Sequence, residues 1–135
     1  MIRNIRPAEA KRLLESDEGY QYIDVRTPEE FENGHVPGAI NIPIALPQPG
    51  SGQMALNESF MPTVQAQFPS EARLILGCRS GGRSAAAANL LAQHGYQTLC
   101  NLEGGFCGKT DMFGRVIEPG WVTLGYPIER SEPER

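Results

Sequence analysis

Apolar positions along this chain recur at two alternating spacings. Residues 7–16 (PAEAKRLLES) set Ala10, Leu13 and Leu14 on one stripe at helical spacing, with Pro7 suited to the first helical position. Arg6 stands where a capping Ser or Thr is favoured, which weakens that helix start. Residues 20–25 (YQYIDV) form a short β-prone run. In TPEEFENG, Thr27 can cap, Pro28 takes the first helical position, Glu30 closes a capping box and Gly34 ends the helix. A strand is expected over 39–42, and the Pro/Gly-rich stretch 45–56 reads as surface loop. Asn57 is placed to cap a helix carrying Phe60, Met61, Val64 and Phe68 on one face. A buried strand over 73–77 (RLILG) leads into a helix that begins around Gly82 to Ser84 and ends at Gly95. A last strand spans 97–102 (QTLCNL), and the charged tail 129–135 is expected to fray.

Strands alternating with helices imply an α/β fold around a mostly parallel sheet. In such sheets ligands collect beyond the carboxyl ends of the strands. LGCRSGGRS, residues 76–84, lies at the carboxyl end of RLILG and so stands where chemistry is expected.

Composition narrows the class. The 135 residues suit one domain, and 40% hydrophobic with 21% charged content is ordinary for a globular protein. A net charge of −4 argues against a nucleic-acid partner. No apolar run approaches the roughly 18 residues that span a bilayer, so no membrane partner is expected. The N-terminal stretch has no apolar core of a secretory signal, which makes a cytoplasmic location the expectation. Cys78, Cys100 and Cys107 make an odd set that does not read as a disulfide framework. With no C-x-x-C, and neither His35 nor His94 at a ligand-like interval from a cysteine, no metal is expected. No long heptad or obvious apolar patch appears, so a monomer is expected.

The six residues that follow Cys78, up to Ser84, are two arginines, two serines and two glycines. A glycine-rich turn lets successive backbone N–H groups point inward as a nest for an anion. The amino end of the next helix aims its partial positive charge at the same place, and Arg79 and Arg83 add full charges. A thiol so placed should ionise readily and act as a nucleophile toward an anionic electrophile. Two blander readings stand beside this one: a small buried cysteine in a plain connection, and an anion-binding loop without covalent chemistry.

These residues resemble a known family. LGCRSGGRSAAAANLL is similar to the active-site loop and following helix of rhodanese-like sulfurtransferases. YIDVRTPEEFENGHVPGAINIP, NLEGGF and WVTLGYPI resemble three further motifs of that family, in the right order, and the likeness covers about residues 3–128. It implies a single rhodanese domain over 1–128: five mostly parallel strands with helices on both faces. It also implies ping-pong sulfur transfer through a Cys78 persulfide, from thiosulfate or a related small anionic donor to cyanide or a thiol, with a partner protein among the candidate acceptors. No cofactor is implied beyond that persulfide. Arg79, Ser80, Gly81, Gly82, Arg83 and Ser84 would bind substrate. Arg79 would steer the donor, while Arg83 would contact the anion or tie the loop to the protein body. Asp24, Arg26, Glu30 and His35 read as a paired network fixing local geometry, with acid–base chemistry as the alternative.

The fold also resembles that of dual-specificity phosphatases and arsenate reductases, whose signature places five residues between Cys and Arg. Here four separate Cys78 from Arg83, a smaller perimeter that favours a single sulfur over a tetrahedral phosphate. A third reading is a non-catalytic module that senses sulfur or binds a protein; the cysteine and both arginines argue against an inert version. Relative to the family, residues about 107–119 form an insertion, either a specificity loop or an inert elaboration. Phe106, Met112, Phe113 and Val116 are candidates to wall the pocket, and Lys109 and Arg115 to add charge. Cys107 is a candidate resolving or redox partner of Cys78, whereas Cys100 reads as a packed core thiol.

Overall fold

Strand-forming runs and helical stripes alternate in the fold as they do along the chain. The computed structural model describes residues 2–131. In chain order the elements are β1 (Ile2–Ile5), α1 (Pro7–Glu15), β2 (Tyr20–Asp24), α2 (Pro28–Glu32), β3 (Ile40–Asn41), β4 (Ala45–Pro47), β5 (Met54–Leu56), α3 (Phe60–Gln67), β6 (Arg73–Gly77), α4 (Gly82–Gln93), β7 (Thr98–Leu102), β8 (Lys109–Thr110) and β9 (Val116–Glu118). Five strands make one sheet in the order β1-β7-β6-β2-β3, parallel at every pairing. The hydrophobic runs of β6 and β7 take the sheet's inner positions, as expected for strands covered on both faces.

Strand alternation sorts the core into two layers. On one face Ile23, Leu74, Leu76 and Leu99 pack with Phe60 and Val64 of α3 and Ala87, Ala88 and Leu91 of α4. On the other, Tyr22, Ile75, Cys100 and Leu102 pack with Ala10 and Leu13 of α1 and with Phe106 and Trp121. Cys100 is 1% exposed within that second layer, and burial pushes its thiol pKa up. Helices therefore flank both faces, and the carboxyl ends of β2, β6 and β7 open on one edge.

Four segments differ from the sequence-based expectations. β1 was not foreseen: only Ile5 of the strand is buried, and its regularity comes from pairing with the backbone of β7. The stretch 45–56 is no plain loop. Ala45 pairs with Leu56 and Pro47 with Met54 in an antiparallel hairpin. Pro47, which ends β4, faces the turn, where a missing N–H is tolerated. Asn57 does not cap α3, which starts three residues later. Its Oδ1 accepts the Ser59 N–H at 3.1 Å in a turn, and its Nδ2 donates to the Pro43 carbonyl at 2.9 Å. The tail is held at its start. Glu129 bridges His35 through two backbone hydrogen bonds of 2.8 and 2.9 Å, and Ser131 N–H donates to Glu32. The remaining tail residues, 132–135, lie outside the described residues.

Candidate active site

β6 ends at Gly77, and Cys78–Gly81 turn the chain into α4. Gly81 adopts φ +118°, a left-handed conformation that glycine accommodates, and its N–H points back to donate to Cys78 Sγ at 3.1 Å. Gly81 supplies the one loop amide within hydrogen-bond reach of the sulfur among the described residues. The sulfur also lies at the amino end of a 12-residue helix, whose partial positive charge favours an anion there. Cys78 itself is 2% exposed. Ser84, fully buried in the first turn of α4, holds its Oγ 3.4 Å from Cys78 Sγ, 3.2 Å from the Gly81 carbonyl and 2.5 Å from Asn101 Oδ1. Asn101 lies on β7 and donates through Nδ2 to Oδ1 of Asn4, its register partner on β1, at 3.1 Å.

The loop is backed by the segment after β7. Phe106 N–H donates to the Cys78 carbonyl and Cys107 N–H to the Arg79 carbonyl, each at 2.8 Å. Gly105 makes this approach possible: a Cβ there would lie 2.5 Å from the Cys78 oxygen and 2.7 Å from the Arg79 carbonyl carbon.

The two arginines diverge. Arg83 donates to both carboxylate oxygens of Glu30, at 2.8 and 3.0 Å, from α4 to α2. The same carboxylate completes the capping box with Thr27, whose hydroxyl accepts the Glu30 N–H at 3.3 Å. The Arg83 hydrogen bonds hold the Glu30 carboxyl down at about 2, against a burial effect that raises it, with Thr27 contributing in the same sense as Arg83. Arg79 is exposed and makes no ion pair among the described residues. It borders two clefts. One, of about 380 Å³, is shared with Ser80, Cys107, Lys109 and Ile117. The other, of about 280 Å³, is shared with Arg26, Glu30, Phe106 and Cys107. A separate groove between Leu14, Val36, Pro37 and Trp121, edged by Lys11 and Glu15, lies apart from Cys78 and is lined by no cysteine.

Asp24 and Arg26 form a buried pair at 2.7 Å, with side chains 3% and 4% exposed. Arg26 also donates to the Gly34 carbonyl at 2.7 Å and stacks over the Phe106 ring at 4.4 Å. Every charge in this pair is neutralised and hydrogen bonded, the condition under which a buried ion pair is tolerated. His35 stacks on Phe31 at 3.6 Å and meets the Phe31 carbonyl through Nδ1 at 2.7 Å.

The inserted segment folds as the β8–β9 hairpin, its turn held by Asp111, which accepts from Phe113 and Arg115 N–H at 2.9 and 3.0 Å. Only part of the segment walls a cleft: Cys107, Lys109 and Ile117 line the larger one and the neighbouring Phe106 the smaller. Met112, Phe113 and Val116 are exposed at 89%, 75% and 53%, and Arg115 pairs with Asp111. Phe106, 7% exposed, packs in the core and presents an edge to the smaller cleft, and Lys109 brings its charge to the larger one. The NLEGGF motif holds Asn101 and Gly105, but the sequence assigned no role to either, or to Asn4. A signal for Asn101 was available: in TLCNL it shares a face with Leu99, where a strand packed against α4 would carry an apolar residue.

The profile of the rhodanese-like domain matches residues 6–108, and the chain belongs to that family. It is 41% identical over 88 residues to "Thiosulfate sulfurtransferase 16, chloroplastic" of Arabidopsis thaliana, covering 65% of this chain and 72% of that one. It is 30% identical over 132 residues to a "Sulfurtransferase" of Allochromatium vinosum, covering 98% of this chain and 99% of that one. The crystal structure of Rv0390 from M. tuberculosis superposes with a TM-score of 0.77 at 25% identity, over 94% of this chain and 96% of that one. The fold is thus the rhodanese fold, in a family that includes named sulfurtransferases. One of those relatives is named chloroplastic, so membership does not by itself set the compartment. No described helix is long and apolar enough to cross a membrane.

Proposed function

We propose that the protein is a sulfurtransferase working through a persulfide on Cys78. The observation that carries this is the seat of Sγ, which accepts the Gly81 N–H at 3.1 Å at the amino end of α4. In the first half-reaction the Cys78 thiolate attacks the outer sulfur of thiosulfate. A Cys78 S–S bond forms, the S–S bond of thiosulfate breaks, and sulfite leaves with the electron pair. In the second, cyanide or a thiol attacks the terminal sulfur, leaving as thiocyanate or a hydropersulfide and restoring the thiolate. The added S–S bond of about 2 Å extends the buried sulfur toward the surface, where an acceptor can meet it. Arg79, exposed, bordering both clefts and without an ion pair among the described residues, draws in the anionic donor. Cys107, half-buried and hydrogen bonded through its N–H to Arg79, is the candidate thiol to resolve an oxidised Cys78.

The Arg83–Glu30 pair disfavours the phosphatase or arsenate reductase reading, because an arginine spent on a carboxylate is not free to bracket a tetrahedral anion. A sulfur-sensing module would load Cys78 once without turnover. The test is therefore continuous thiocyanate production from thiosulfate and cyanide. Cys78→Ser should retain the wild-type melting temperature and lose turnover. Retained turnover in that variant would overturn the covalent route.

A further inference from the structure

Ser84 has one hydroxyl proton and three acceptors within reach. The nearest is Asn101 Oδ1 at 2.5 Å, the Gly81 carbonyl is at 3.2 Å and Cys78 Sγ at 3.4 Å. Ser84, Cys78 and Asn101 are 0%, 2% and 5% exposed, so the proton is partitioned among protein groups. While Asn101 presents its carbonyl, the Ser84 proton is committed to it, and Ser84 offers the sulfur only a lone pair. That arrangement suits a thiol, whose S–H can donate to Ser84. It does not suit a thiolate or a persulfide anion, which only accept.

A carboxamide can serve both states, because its two ends differ in polarity and nearly match in shape. Turned by 180°, Asn101 donates through Nδ2 to Ser84 Oγ, and the Ser84 proton is released to the sulfur. Asn101 Oδ1 then faces Asn4, whose exposed carboxamide turns to donate to it. The chain Asn4–Asn101–Ser84–Sγ thus has two directions, each with its polar groups satisfied. We propose that Asn101, supported by Asn4, is a positioning residue that decides whether the Ser84 proton is held away from the Cys78 sulfur or given to it. A carboxylate could not fill either Asn position, since it would accept in both states. The inference rests on the reading of Cys78 as the nucleophile.

The test begins at Asn4, which is exposed on an edge strand and can be changed without disturbing the core. Asp at that position accepts permanently from Asn101 Nδ2 and so locks the Asn101 carbonyl onto Ser84. Two rates are read: iodoacetamide alkylation at Cys78, followed by peptide mass, and single-turnover sulfur loading from thiosulfate. Asn4→Asp should slow both about tenfold, the scale of one hydrogen bond to an ionised group. The thiosulfate KM should not move. Asn4→Ala, which only removes the partner, should slow them far less, and Asn101→Asp should act at least as strongly as Asn4→Asp. In a Ser84→Ala background the Asn4→Asp effect should disappear, since the proton it misdirects is gone. An equal effect of Asn4→Asp with and without the Ser84 hydroxyl would assign it to charge through space and overturn the proposal. Asn4→Ala as damaging as Asn4→Asp would also overturn it. Should the wild type take no sulfur from thiosulfate or from persulfide donors while alkylation follows the expected pattern, the sulfur-transfer reading fails and the positioning role stands.

Discussion

Arg79 and Arg83 stand four residues apart in one loop and differ in what they can do. Arg83 is held by two hydrogen bonds to Glu30, so its charge is spent on fixing the loop. Arg79 extends into solvent beside both clefts, with its charge available to an incoming anion. Arg79→Ala should raise the thiosulfate KM about tenfold with little change in kcat, as expected for an interaction made equally in the bound and transition states. Steady-state kinetics checks this. A fall in kcat at constant KM would instead place Arg79 against charge that develops during the reaction. Two roles for Arg83 were open in the sequence because its partner lies 53 positions away, a separation no local pattern bridges. Asp24, Arg26, Glu30 and His35 read in the sequence as one paired network; the structure buries Asp24 with Arg26, pairs Glu30 with Arg83 and stacks His35 on Phe31.

At the scale of elements, α2 is a five-residue helix with no fully buried residue, too short to persist by propensity alone. Its stability comes from its ends. Thr27 and Glu30 form the capping box that the TPEE sequence foretells, and Arg83 ties that box to α4. Glu30 titrates at about 2 in the fold against 4.5 for a free glutamate, so its folded-state value is depressed. The stabilisation it gives is complete above about 4.5 and is lost as pH falls through the range down to about 2. Wild type should therefore melt higher than Glu30→Gln at neutral pH, and the gap should close as the pH is lowered through that window. Thermal unfolding as a function of pH is the check, and a gap independent of pH would mean that the ion pair contributes nothing. Elements with strong local signals, such as α1, α2, β6 and α4, were readable from the chain. β1 and the two hairpins were not, because short exposed strands owe their regularity to a neighbour's backbone rather than to side-chain alternation.

For the whole molecule, the strand order matters most. β6 and β7 lie side by side inside the sheet, so the loop after β6 is supported by α4 in front and by residues 105–107 behind. The same order brings β1, from the start of the chain, against β7 and sets Asn4 beside Asn101, a pairing that follows from topology and could not be seen in the sequence. Net charge is −4, yet the cleft bordering the loop after Cys78 is lined by Arg79 and Lys109, a local attraction for an anion on an otherwise acidic protein. The central claim is that this site carries sulfur on Cys78. Intact mass spectrometry after mixing with thiosulfate tests it most directly, with Cys78→Ser alongside. The account predicts one added sulfur atom on the wild type, absent from the variant and removed by cyanide. A wild type that stays unmodified by thiosulfate and by persulfide donors alike, or a variant that gains the same mass, would contradict it.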